Sequence, residues 1–224
     1  MASLVCVCLR AHGHAVSYIA MFGLRLTRAC LLGVAVLMCL PQPAVAWSLD
    51  IAAASRRVFL HVGNGTYDTT NATINLVQVS VPAAQLGNGS ALAMTSNSTQ
   101  SGSLLDGYTT CPNPGQQLLI GASYRRSAAS QPASATLSVT SPANLTSSAG
   151  DTIPFTQISW TVSAAGSPQP AVIPAGTFNG GTQTLATIPA NRYIENCHSF
   201  AFANSALRAA GMYTGQVRYT ISSP

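Results

Sequence analysis

Charged side chains are scarce in this chain, and lysine is absent altogether. Asp, Glu, Lys and Arg make up 7% of the 224 residues, and all 10 basic residues are arginines. After residue 46, seven arginines stand against five acids, a net charge of +2 (seven minus five). There is no basic patch of the kind that binds nucleic acid, and no block of one sign that predicts a solvated tail. Ser, Thr, Asn, Gln, Gly and Ala supply the surface instead.

Sequence patterns for catalysis or metal binding are also lacking. After residue 46 we find no G-x-S-x-G, no phosphate-binding loop and no metal-ligand spacing. The acids include no close pair, although Asp151 and Glu195 could converge in space as the carboxyl groups of a glycosidase must. His61 and His198 each lie beside apolar residues in a strand-like segment, which favours a structural role. We therefore predict no catalytic residue, no metal and no cofactor, and not an enzyme.

The first 46 residues have the pattern of a secretory signal peptide. Arg25 and Arg28 precede an apolar run over 29–40, and Ala44-Val45-Ala46 supplies the small residues of a cleavage site. The run is shorter than the roughly 20 residues that span a membrane, which disfavours the alternative of an uncleaved anchor. Met21 is an alternative start, because the residues after it form a conventional signal-peptide beginning. We predict export of the chain from residue 47 onward.

Only two cysteines follow the signal peptide, Cys111 and Cys197. Two cysteines in an exported chain most simply form one disulfide. The alternative is a nucleophile pair of Cys197 with the neighbouring His198. Adjacent residues on a strand point to opposite faces, so the geometry of that pair is poor. We predict a Cys111–Cys197 disulfide.

Short strands separated by Gly, Pro and polar turns are predicted along the exported chain. Alternating apolar residues predict strands at 47–51, 57–62, 74–81, 117–124, 135–140, 153–162, 182–188, 199–203 and 212–221. A change of parity between Phe155 and Ile158 predicts a β-bulge. Residues 90–116 are predicted to be largely loop, and 205–210 leave room for one helical turn. The pattern predicts an all-β sandwich.

The last strand, within residues 211–224, alternates clearly between apolar and polar residues. One parity carries the apolar set, Tyr213, Val217, Tyr219 and Ile221 with Gly215 between them; the other parity is mostly polar. Such a period of two predicts a half-buried strand. Gly211 lies fourteen residues from the end, and this ending resembles that of subunits of bacterial chaperone–usher fimbriae. Further segments that are similar to uncharacterised fimbrial-type subunits are 79–82, 86–89, 153–160, 173–178 and 210–220.

The resemblance implies an immunoglobulin-like β-sandwich over 57–224 that lacks one strand and is completed by donor-strand exchange. A periplasmic chaperone would cover the open groove, and at an outer-membrane usher the N-terminal extension of another subunit would replace it. The resemblance implies a chaperone- and subunit-binding groove lined by Gly211, Tyr213, Gly215, Val217, Tyr219 and Ile221. In the extension, 47–56, the donor residues would be Trp47, Leu49 and Ile51. The expected location is the cell surface, with no host receptor named.

Two other function classes remain open from the sequence. A fimbrial tip adhesin or another secreted glycan-binding module would use Trp160, Tyr108 or Tyr124 to line a sugar site. A secreted enzyme would need a catalytic cluster that is assembled only by the fold. A structural fimbrial subunit that serves adhesion is the interpretation we carry forward.

Overall fold

The computed structural model describes residues 49–65, 75–103, 105, 107–163 and 172–224. Within these ranges the fold is all-β, as the alternating patterns predicted. Its helical elements are three single turns of 3-10 helix, at Ala83–Gln85, Pro114–Gln116 and Phe155–Gln157. The predicted signal peptide (1–46) and the predicted donor residue Trp47 lie outside the described residues.

Fifteen strands occur in the described part of the chain, and most are short. They are β1 Leu49–Asp50, β2 Arg57–Val62, β3 Val77–Gln78, β4 Leu92–Ala93, β5 Thr95–Ser96, β6 Leu118–Arg125, β7 Ser134–Thr140, β8 Asn144–Ser147, β9 Thr152–Pro154, β10 Ile158–Ser163, β11 Gly176–Thr177, β12 Thr182–Pro189, β13 Arg192–Phe202, β14 Tyr213–Thr214 and β15 Arg218–Ser222. The pairs between them that the structure records are all antiparallel.

The largest sheet is built around β13. Its strand order is β11-β10-β13-β6-β2, and β1 and β4 also pair with β13. Smaller sheets have the orders β12-β7-β15 and β14-β8-β9, and β3 pairs with β5. One apolar core joins the layers in an open sandwich, because buried residues of β6, β10 and β13 pack with buried residues of β7, β8 and β12.

The central strand β13 is longer than its sequence predicted. It has eleven residues, of which the eight from Tyr193 to Phe200 are buried without interruption, whereas alternation predicted a strand only at 199–203. One face of β13 packs on the core, where Phe200 stacks on Phe178 at 6.2 Å between ring centroids. The other face is covered by the segment that contains Cys111. A strand covered on both faces loses the period of two that marks a half-exposed strand.

The predicted strand at 153–162 is interrupted by a turn rather than by a β-bulge. Phe155–Gln157 forms a 3-10 turn between β9 and β10, which changes the parity and lets the chain pass from one sheet to another. The ring of Phe155 at the start of this turn is fully buried. A register shift does occur elsewhere, between Thr184 and Ala186 of β12. The predicted helical turn at 205–210 is also wrong, since these residues are irregular.

The last strand keeps its predicted alternation but is divided between two sheets. Residues 213–221 alternate between half-buried and exposed, with the apolar parity inward. The division lies around Gly215, between β14, which pairs with β8, and β15, which pairs with β7. A Cβ atom at Gly215 would lie 2.7 Å from Cε2 of Phe155, so the backbone passes this ring closely and only glycine fits.

Candidate functional site

An apolar groove of about 560 Å³ lies between two segments of the chain, 76–81 and 206–214. In the first segment Val77, Val79 and Val81 alternate with exposed polar residues and are buried or half-buried. Such a period of two is typical of an extended chain. Within the segment, Val77–Gln78 is paired, as β3. Pro82 ends the segment, because proline cannot continue a paired strand. The alternation therefore presents a row of valines to the groove.

The floor of the groove is formed by core side chains from other strands. Met94, Leu145, Ile153 and Phe202 line it, and all four are at least nine-tenths buried. Their apolar character means that the groove offers no polar partner at its base. An occupant of this floor has to be apolar to gain from the contact.

Both segments that flank the groove carry strands at sheet edges. β3 has only β5 as a neighbour, and β14 has only β8, within the described part of the chain. Edge strands present unpaired backbone N–H and C=O groups, to which another extended chain can add by main-chain hydrogen bonds. The groove thus combines an apolar floor with two strand edges.

The rim of the groove exposes apolar side chains to solvent. Met212, which lines the groove, is 81% exposed. Leu207, which lies between the lining residues Ala206 and Arg208, is 75% exposed. Asn204, two residues after the end of β13, also lines the groove and holds the turn at 85–87. Its buried Oδ1 accepts a hydrogen bond from the Gly87 amide at 2.9 Å, and its Nδ2 donates to the Gln85 carbonyl at 2.6 Å. These bonds hold the 85–87 turn next to the start of the 206–214 wall, and Met212 stays exposed at the rim.

Among the described residues that line the groove, Arg208 alone is charged. Its side chain is half-buried, and it makes no ion pair within the residues that the structure describes. The acids of the described part lie elsewhere: Asp50 pairs with Arg192, Glu195 is buried beneath another segment, and Asp151 lies between β8 and β9.

The structure divides the residues that the resemblance assigned to a groove. Gly211 and Tyr213 line the groove described here. Gly215 lies against Phe155, as described above. Val217, Tyr219 and Ile221 are half-buried and pack against the main core. The rest of the groove is formed by other segments, among them residues 77–81. The alternation of the sequence predicts that these valines share a face, but it does not predict that they lie opposite 206–214.

The predicted donor segment lies against its own chain. Leu49 pairs with Tyr193 and Asp50 with Arg192, and the Ile51 amide donates to the Asn191 carbonyl at 3.1 Å. Leu49 and Ile51 are half-buried. The Asp50–Arg192 ion pair, 3.0 Å long, joins side chains that are 78% and 37% exposed. Such exposed ion pairs contribute about 0–1 kcal/mol, so this attachment is weak.

His198 lies on the core face of β13 with neither ring nitrogen hydrogen-bonded. Its ring is fully buried and contacts aromatic rings, with centroids 5.9 Å from Phe200 and 6.5 Å from Tyr219. Burial lowers the pKa of His198 to about 3 and raises the pKa of the Tyr219 phenol. His198 is therefore neutral at ordinary pH and acts as a packing residue under β15. It lies on the face of β13 opposite to Cys197.

The predicted disulfide is present and fastens a covering segment to β13. Cys111 and Cys197 are bonded with their Cα atoms 5.2 Å apart, inside the usual range. Both are fully buried with Leu119 in a small apolar cluster of their own. The bond holds residue 111 over the face of the large sheet that does not contact the main core.

A buried polar row that the sequence did not reveal lies on the same face. Glu195 accepts a hydrogen bond from the Thr110 hydroxyl at 2.5 Å on Oε1 and one from the Tyr193 hydroxyl on Oε2. Gly121 pairs with Glu195 on one side and with His61 on the other. The Tyr193 hydroxyl occupies the space that a side chain at Gly121 would need. Burial also lowers the pKa of His61.

This row has the residue types of an active site but not its access. His61, Tyr193 and Glu195 are each 1% exposed or less. Glu195 holds Thr110 next to the disulfide. A glycine in the otherwise apolar strand 118–125 was the one sequence signal, since strand glycines mark a close approach.

The aromatic residues considered for a sugar site are mostly interior. Trp160 packs on Phe178 and donates from Nε1 to the Pro174 carbonyl at 2.9 Å. Tyr124 is fully buried, and its hydroxyl donates to the Pro132 carbonyl at 2.9 Å. Tyr108 is exposed. The three side chains do not form a common aromatic surface, because two of them belong to the core.

The described residues contain no group of three or more His, Cys, Asp or Glu that could hold a metal ion. Across the same ranges, no helix has the length and apolar character needed to cross a membrane.

Comparison of the chain with protein-family models, with curated proteins and with solved structures gave no match.

Proposed function

We propose that this protein is a structural subunit of a bacterial surface fimbria that is joined to its neighbours by donated β-strands. The observation that carries the proposal is the apolar groove between 76–81 and 206–214, flanked by the edge strands β3 and β14. The resemblance of the C-terminal strand to fimbrial subunits supports the same function.

Such a groove favours a strand over a small ligand for physical reasons. An apolar floor rewards alternate apolar side chains, and two sheet edges supply main-chain hydrogen bonds along an extended peptide. Left open, the combination of apolar surface and strand edge promotes aggregation. A protein exported with this groove therefore needs a partner that covers it, which is the role of a periplasmic chaperone before assembly at an outer-membrane usher.

The N-terminal extension, 47–56, is the proposed donor. Leu49 and Ile51 share a parity, so both can face the floor of a groove in another copy. In their own chain they are held by a two-residue ladder, one further hydrogen bond and an exposed ion pair. Donation from one copy to the groove of the next is a heterologous contact that does not close, and it produces a filament.

The proposal is tested by placing a charge in the groove and measuring assembly. Val79→Arg puts a guanidinium among the groove valines, whereas Thr220→Arg makes a comparable change at an exposed position of β15 outside the groove. We expect size-exclusion chromatography with light scattering to show concentration-dependent oligomers for the unmodified protein and for Thr220→Arg. Val79→Arg should remain monomeric. Equal assembly of Val79→Arg, or a monomer for all three proteins, would contradict the proposal.

A further inference from the structure

We propose that the strand that fills the groove must carry a carboxylate to pair with Arg208, and that Asp50 of a second copy of this chain supplies it. This inference rests on the proposed function, because it specifies the chemistry of the donated strand. It assigns Asp50 two alternative partners: Arg192 in its own chain and Arg208 in a neighbouring copy.

The reason lies in the charge of the groove. Arg208 lines it as the one charged residue among apolar and neutral side chains, and it has no ion-pair partner within the described ranges. A strand laid along the groove would remove water from the half-buried guanidinium. Burying an unpaired charge is costly, commonly by several kcal/mol, unless an opposite charge and hydrogen bonds compensate. A neutral strand would therefore bind at a penalty that an acidic strand avoids.

A carboxylate is the group that compensates a guanidinium best. The two planar groups can form paired, charge-assisted hydrogen bonds, which are stronger than bonds between neutral partners. Arginine also has a long apolar stem, so its charged head can lie at the open side of a groove while the stem covers the wall. The carboxylate should thus lie on the outward parity of the donated strand.

The segment Leu49-Asp50-Ile51 meets both requirements. Its two apolar residues share one parity and Asp50 has the other, so Asp50 faces outward when Leu49 and Ile51 face the floor. The other two acids of the described part are not in an exchangeable segment. Glu195 is buried with Thr110, and Asp151 lies in the connection between β8 and β9.

In its own chain Asp50 is available for exchange. Its carboxylate is 78% exposed and bonds Arg192 at 3.0 Å, and the neighbouring pairing covers only two residues. Breaking this contact costs little, since exposed ion pairs contribute about 0–1 kcal/mol. Arg208 is half-buried, so in the groove this carboxylate would have a less solvated partner than a fully exposed arginine and the interaction would be stronger.

The test measures binding of two synthetic peptides to the intact protein. Both have the sequence of residues 47–56 with a fluorescent label, and one carries Asp50→Asn. We expect the Asp peptide to bind about tenfold more tightly than the Asn peptide, a difference that diminishes as salt is raised. With Arg208→Gln the two peptides should bind equally, and the Asn peptide should bind this variant more tightly than the unmodified protein, because no guanidinium is then buried without a partner.

Arg218→Gln provides the matched control. Arg218 is an exposed arginine of β15 that does not line the groove, so its removal changes the net charge equally and should leave the tenfold preference intact. Circular dichroism spectra and thermal midpoints of both variants verify that they are folded. Loss of the preference in Arg218→Gln would mean a general charge effect and would overturn the role of Arg208.

The outcomes separate this inference from the proposed function. Equal binding of both peptides to the unmodified protein would overturn the inference and leave strand donation standing. A preference that survives in Arg208→Gln would overturn the assignment to Arg208. Absence of binding for both peptides would contradict the donor and groove together, and therefore the proposed function itself.

Discussion

β13 and the groove differ in the length of their strands, in the number of partner strands and in the exposure of their side chains. β13 has eleven residues and partners along both edges: Arg192 and Tyr193 pair with β6 and β1, and Ala201 and Phe202 with β10 and β4. The groove has two-residue edge strands with one partner each and apolar side chains in solvent. Substitutions near β13 should therefore affect stability, and substitutions at the groove should affect association.

The largest expected effect comes from removing the disulfide beside β13. The Cys111→Ala and Cys197→Ala double variant releases a cross-link across a sequence separation of 86 residues. On the chain-entropy model this lowers the free energy of unfolding by about 4–5 kcal/mol. Guanidinium unfolding of the variant and the oxidised parent measures the loss. An unchanged midpoint would contradict a stabilising role of the cross-link.

The second effect is a dependence on pH from His198. In the unfolded chain its pKa is near the ordinary value of 6.5, and in the folded protein burial lowers the pKa to about 3. Between these values the unfolded state binds the additional proton, so stability falls as pH decreases from 6.5 towards 3. Between pH 7 and pH 4 this amounts to about 3 kcal/mol.

His198→Leu removes this titration and should flatten the acid limb of the stability profile by about that amount. The measurement is urea unfolding at intervals between pH 4 and pH 7. An equally steep profile in the variant would mean that His198 gains a proton in the folded state or that other groups dominate.

A smaller loss is expected from the hydrogen bond between Thr110 and Glu195. Thr110→Val leaves a buried carboxylate oxygen without this donor, which costs about 1–3 kcal/mol. Thr110→Ser keeps the hydroxyl and should retain most of the stability, so the pair separates the hydrogen bond from the loss of a methyl group. Urea unfolding at neutral pH gives both values. Equal destabilisation by Val and Ser would rule out the hydrogen bond as the cause.

The smallest change in stability is expected at the groove rim. Met212→Ser removes a side chain that is already in solvent, so the free energy of unfolding should change by less than about 0.5 kcal/mol. Binding of the 47–56 peptide should nevertheless weaken, because Met212 lines the groove. If Met212→Ser lowers the stability but keeps the affinity for the peptide, the groove rim contributes to stability and not to association, contrary to our expectation.

The positions of several strands could be predicted from the sequence, among them the strand at 57–62 and the alternating last strand. In the last strand the apolar parity is half-buried and the other parity is exposed, which is the arrangement that a period of two marks. The disulfide was predicted because only two cysteines remain after residue 46. β13 was underestimated, since burial on both faces erases the alternation.

Features that depend on register between distant strands could not be predicted. His61 and Glu195 lie in one row across the sheet because both pair with Gly121 of β6, from opposite sides. The groove likewise requires 76–81 to lie opposite 206–214, and local periodicity carries no information about that juxtaposition. The period of two did predict that the valines of 74–81 share a face, but not that this face lines a groove.

Amide hydrogen exchange, with and without the 47–56 peptide, tests the central claim most directly. In the free protein we expect fast exchange in 76–81 and 211–214 and slow exchange in β13, because edge strands open locally at little cost. Added peptide should slow exchange in both groove segments and leave β13 unchanged, as main-chain hydrogen bonds to a donated strand require. Saturating peptide that leaves both segments unprotected would contradict strand donation into this groove.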